Sequence, residues 1–114
     1  MKEPSREDAI ETVVVELDES HVEVTFYEKV KIESGLMKGH SVYPIFATLY
    51  DMRNRPLETE WDTVGKKHSF KPKACELIER VVGRHEIGWS DDWKKTRKQE
   101  EVERVADQIN RYLQ

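Results

Sequence analysis

The sequence predicts an α+β domain: a three- to four-stranded antiparallel β-meander followed by two C-terminal α-helices packed on one face. Three observations carry this expectation. Between residues 12 and 61 apolar and polar side chains alternate with a period of two, as in strands with one buried face. After Trp61 the apolar spacing becomes that of amphipathic helices. Strand-like and helix-like stretches are not interleaved, which points away from an alternating βαβ sheet. The length of 114 residues fits one domain, taken as 11–114 after a flexible polar N-terminus over 1–10.

The first strand follows from Val13, Val15 and Leu17, which share one side, and Asp18-Glu19-Ser20 supplies a polar turn. From His21 to Glu33 the alternation is clean. Val22, Val24, Phe26, Val30 and Ile32 lie on one face, interrupted only at Glu28. These thirteen residues would span roughly 43 Å at about 3.3 Å each, longer than most strands. A bend or bulge near Glu28 is therefore expected.

A loop over Ser34–Gly39 leads into Ser41–Asp51, which is apolar on both sides. Tyr43, Ile45, Ala47 and Leu49 form one face; Val42, Phe46, Thr48 and Tyr50 form the other, as in a central or doubly covered strand. Pro44 places its first half at an edge or a bulge, because proline cannot donate to the ladder. After the turn at Asp51–Pro56, Leu57, Thr59 and Trp61 alternate and suggest a fourth strand.

Pro72 fits the first turn of a helix, and Ala74, Leu77, Ile78 and Val81 keep the i, i+3, i+4, i+7 spacing. Gly83 is its expected stop. Val102, Val105, Ala106, Ile109, Tyr112 and Leu113 share a second helical face. Ser90 with Asp91 and Asp92 forms one N-terminal signal, and Thr96-Arg97-Lys98-Gln99 forms a capping box. A short turn at 91–95 followed by a fresh helix from 97 would let Trp93 pack inward, and this break is favoured over one continuous helix.

Composition narrows the class. Charged residues make up 37%, against about 25% in ordinary soluble domains, and apolar content is low at 37%. With 5 Gly, 4 Pro and 1 Cys, collagen-like, low-complexity and disulfide-scaffold readings are excluded. No apolar run is long enough to span a bilayer, and the polar start lacks a signal-peptide h-region, so a cytoplasmic protein without membrane association is expected. The net charge of −4 is unevenly spread: residues 1–28 sum to −7 and residues 66–98 to +5. Such a chain is electrically two-sided if the fold keeps these parts apart.

The familiar catalytic and cofactor signatures are not found. The sequence has no phosphate-binding glycine loop, no H-E-x-x-H, no C-x-x-C and no G-x-S-x-G elbow. No catalytic residue, metal ligand or cofactor is therefore assigned. Cys75, the one thiol, lies near Ile78 and Val82 in the expected helix, where a half-buried structural cysteine is the simpler account. His21, His40, His68 and His85 are spaced as in no metal-binding rule.

Three surfaces remain as candidates. Lys66, Lys67, Lys71, Lys73, Arg84, Lys94, Lys95 and Arg97 surround Trp89 and Trp93, a combination able to neutralise phosphates and stack on bases. Five acids share that segment, and a solvated mixed-charge face is the simpler account. The acidic stretch from Glu3 to Glu23 suits a basic protein surface or simply aids solubility. Tyr27, Phe46 and Tyr50 would line a second sheet face if the register is favourable, although coverage by a helix is the simpler expectation. The leading expectation is a small non-enzymatic interaction or regulatory protein that binds a macromolecular partner, most readily a protein, through charged surfaces. A nucleic-acid-binding module using the 66–98 segment, and an enzyme built around Cys75 or the histidines, are the alternatives.

Overall fold

The long alternating stretch that begins at His21 forms not one strand but two in series. The computed structural model, which describes residues 2–17, 20–65, 70–84 and 97–113, has β1 (Ala9–Glu16), β2 (Ser20–Tyr27), β3 (Val30–Lys31), β4 (Ser41–Asp51) and β5 (Pro56–Val64). Between the pairs Phe26↔Ile45 and Val30↔Val42, the β2–β3 side advances four residues while β4 advances three. The extra residue falls at Glu28-Lys29, where the alternation falters, and β3 resumes the course of β2. Pro44 lies on β4 between the residues that pair with β3 and those that pair with β2, where a missing backbone donor is tolerated.

All pairings are antiparallel: β1 with β2, β2 and β3 with β4, and β4 with β5. The result is a five-stranded meander with β4 at its centre. The β4–β5 turn is fixed by Asp51, whose Oδ1 accepts from the backbone N–H of Arg53 (2.8 Å) and Arg55 (2.9 Å). Its Oδ2 accepts from Arg55 Nε at 2.8 Å. Asn54 takes φ 61°, a left-handed conformation that asparagine tolerates better than most residues.

Both helices cover the same face of the sheet. On α1 (Phe70–Arg84) the expected stripe of Ala74, Leu77, Ile78 and Val81 is buried, joined by Phe70 and Val82. Pro72 lies near the N-terminal side of the described helix, and Gly83, the expected stop, falls within it. On α2 (Arg97–Leu113) Val102, Val105 and Ala106 are buried. The N-cap of the capping-box reading, Thr96, the 91–95 turn and Trp93 all fall on residues 85–96, which lie outside the described residues. Helix α1 packs over β2, β4 and β5, helix α2 over β1, and the two helices touch each other. Beneath them lie Val13, Val15, Val22, Val24, Phe26, Ile45, Ala47 and Leu49, the inward parity of three adjacent strands. Phe70 meets Phe26 edge-on at 5.2 Å and Tyr43 at 6.1 Å, tying the start of α1 to the sheet.

Candidate interaction surface on the open sheet face

Strand parity sends the remaining side chains to the other face. Among the described residues neither α-helix lies there, which corrects the expectation that a helix of the C-terminal pair covers Tyr27, Phe46 and Tyr50. The physical reason is parity: the helices take the face built from Val22, Val24 and Phe26, so the residues between them turn outward.

The register then builds an aromatic row across three strands. Phe46 pairs with Thr25 on one side and Trp61 on the other. Tyr27 meets Phe46 edge-on at 5.8 Å, and Trp61 stacks on Phe46 at 6.0 Å with 19° between the rings. Farther along the same face His21 stacks on Tyr50 at 5.0 Å. Thr12 with Thr25 (3.2 Å) and Thr48 with Thr59 (3.1 Å) form cross-strand hydroxyl pairs beside them. Trp61 is 41% exposed, a large aromatic surface left to solvent at the end of the row.

A short N-terminal strap crosses this face. Residues Arg6–Asp8 form a 3-10 turn capped by the Ser5 hydroxyl, and Glu28 N–H donates to Asp8 C=O at 2.8 Å. Tyr27 Oη donates to Glu3 Oε2 at 2.9 Å, and Tyr27 is only 1% exposed. Burial, followed by the bond to Glu3 and the charge of Glu3, pushes the Tyr27 phenol up to about 12. Burial also raises Tyr50, with the Glu23 and Glu3 charges adding to it and Arg6 opposing.

The strap adjoins two hollows. One, of about 270 Å³, lies toward Tyr50 and is lined by Glu3, Arg6, Glu23, Tyr27, Phe46 and Tyr50, with threonines 12, 25 and 48. The other is a broad groove of about 710 Å³ beside Trp61, where Pro4, Val30, Ile32 and Thr63 provide the walls and Lys31 and Glu33 the rim.

The basic residues singled out in the sequence have a different setting. Lys71 Nζ lies 3.7 Å from Glu103 on α2. Lys73 Nζ lies 2.9 Å from Asp62 and 3.6 Å from Glu76. Burial raises the Asp62 carboxyl, but the Lys73 bond, the Thr63 N–H and the Lys73 charge outweigh it, so the net shift is downward. The same bond to Asp62 and the charge of Asp62 raise Lys73. Arg84 is the last described residue of α1 and Arg97 the first of α2. Lys66, Lys67, Trp89, Trp93, Lys94 and Lys95 lie outside the described residues, as do His68 and His85. Cys75 is half-buried and packs against the core, and His40 is exposed at the end of the β3–β4 loop.

Trp61 and Arg6 were not singled out by sequence reasoning as parts of a site, and Glu3 only as one end of the acidic stretch from Glu3 to Glu23. For Trp61 a signal existed: counting outward from the Asp51–Pro56 turn sets Thr48 against Thr59 and hence Phe46 against Trp61. Neither protein-family models, nor curated proteins, nor solved structures give a match to this chain.

Proposed function

We propose that this chain is a small non-enzymatic binding protein that docks a protein partner on the open face of its sheet, in the groove beside Trp61. The single observation that carries the reading is Trp61 itself. A tryptophan stacked on a buried phenylalanine, two-fifths exposed and flanked by a 710 Å³ groove, has the form of an interface anchor. Pro4, Val30 and Ile32 supply apolar walls, and the charged rim of Lys31 and Glu33 suits the polar border of a protein interface.

A nucleic-acid partner ranks second. Glu3, Glu23 and Glu33 along the aromatic row are balanced by Lys2, Arg6 and Lys31, which leaves no excess of positive charge for a polyanion, while Lys71 and Lys73 of the basic segment already face carboxylates. The test is comparative capture from source-cell extract with the wild-type chain, Trp61→Ala and a Lys71→Ala/Lys73→Ala double variant, each first checked for an unchanged melting curve. The expected result is one protein companion whose recovery falls about tenfold or more with Trp61→Ala and is kept by the lysine variant. Recovery indifferent to Trp61, or nucleic acid lost with the lysines, overturns the reading.

A further inference from the structure

We propose that the smaller hollow between the strap and the sheet is a socket for a basic side chain, a guanidinium or alkylammonium group, of the partner that docks beside Trp61; the proposal rests on that docking reading. The argument begins with size. At about 270 Å³ the hollow far exceeds the roughly 30 Å³ occupied by one water and sits at the lower edge of the usual range of about 300–1,000 Å³ for small-molecule pockets. A single long side chain matches it better than a cofactor does.

Chemistry selects the charge. Glu3, which accepts from Tyr27, and Glu23, 3.9 Å from His21 Nε2, give the lining two carboxylates against one cation, Arg6, with the rings of Tyr27, Phe46 and Tyr50 in the same lining. Aromatic rings attract a cation through their quadrupole, and nearby carboxylates reinforce that attraction. The hydroxyls of Thr12, Thr25 and Thr48 supply acceptors for N–H donors and make the hollow a poor host for an apolar group. An anionic guest would meet both glutamates with only Arg6 in its favour. The upward shift of both tyrosines, in which the carboxylates add to burial and Arg6 opposes, agrees with a negative potential in this space.

The strap explains how such a socket is regulated. Arg6 is the chain's own cation at the site, carried on a segment held by the Glu3–Tyr27 bond and the Asp8–Glu28 contact. An incoming basic group competes with Arg6 for the same field. Removing the Arg6 charge therefore strengthens binding, and neutralising Glu23 weakens it.

The test uses N-acetyl-arginine amide as the probe and its uncharged isostere N-acetyl-citrulline amide as the control, titrated into the full isotope-labelled chain. The readout is the backbone amide shifts of Thr12, Thr25, Thr48 and Tyr50. The expected result is saturable binding of the arginine probe, weaker by about fivefold or more for citrulline and in Glu23→Gln, and stronger by about threefold in Arg6→Ala. Equal response to the two probes overturns the proposal, as does the absence of saturable shifts at these residues. Arg6→Ala lies on the exposed strap and keeps the test valid if Glu23→Gln perturbs folding. Because the probe requires no partner, the two readings fail separately. Loss of arginine binding with Trp61-dependent capture intact removes the socket alone, and the reverse outcome removes the docking groove alone.

Discussion

Tyr27 shows how one residue joins the strap to the sheet. Its ring packs edge-on against Phe46 and its hydroxyl reaches Glu3, 24 positions earlier. Folding favours the neutral phenol, whose pKa rises from its ordinary value of 10.0 to about 12. The stability from this contact is therefore full below pH about 10 and is lost as pH climbs through about 12. An ultraviolet titration of tyrosinate should show a late ionisation that Tyr27→Phe abolishes. The same variant should cost about 1 kcal/mol at neutral pH, the usual net value of one hydrogen bond. An unchanged titration curve and unchanged stability would mean that Glu3 does not hold the strap. Nothing local in the sequence announces this contact. Alternation identifies the face on which Tyr27 lies, but a bond to a residue so distant in the chain depends on where the strap is led by the start of β1.

At the scale of elements the sequence was informative wherever burial follows a period. The parity of Val22, Val24 and Phe26 is the parity of the core, and the stumble at Glu28 is the register slip between β2 and β3. The buried stripe of α1 and that of Val102, Val105 and Ala106 on α2 are likewise where the spacing places them. Strand β5 was harder to read. Its alternation suggested a short strand over Leu57–Trp61, whereas it runs from Pro56 to Val64. Here the usual pattern is reversed: Glu58, Glu60 and Asp62 share the helix-side parity of Val64, and Leu57 and Trp61 are exposed. Edge position and the lysine on α1 make this possible, since Asp62 gains Lys73 as a partner. The core assignment gives a clean contrast. Leu77→Ala, at a fully buried position on the sheet-facing side of α1, should cost about 2–5 kcal/mol in urea unfolding. Leu36→Ser, in the exposed β3–β4 loop, should change stability by no more than about 0.5 kcal/mol. Comparable losses from the two would contradict the placement of α1 on the sheet.

The molecule as a whole is a sheet with two unlike faces. One is dry, aliphatic and covered by both helices; the other carries an aromatic row, hydroxyl pairs, carboxylates and the strap. Sequence periodicity separates the two sets of residues but does not say which set the helices choose. Strand β4 makes the difficulty plain, because Ile45 and Phe46 are both apolar and both buried, one under the helices and one in the aromatic row. The deciding term is the sum over neighbouring strands, where the valines of β1 and β2 outweigh the threonines and glutamates between them. The central claim is that the face left open is the working surface. Its most direct test is the amide chemical-shift footprint of the captured protein partner on the isotope-labelled chain. The account predicts a footprint centred on Ile32, Phe46, Trp61 and Thr63 that reaches Tyr27; a footprint centred on the outer surface of α1, around Lys71 to Arg80, with the open face unmoved, would contradict it.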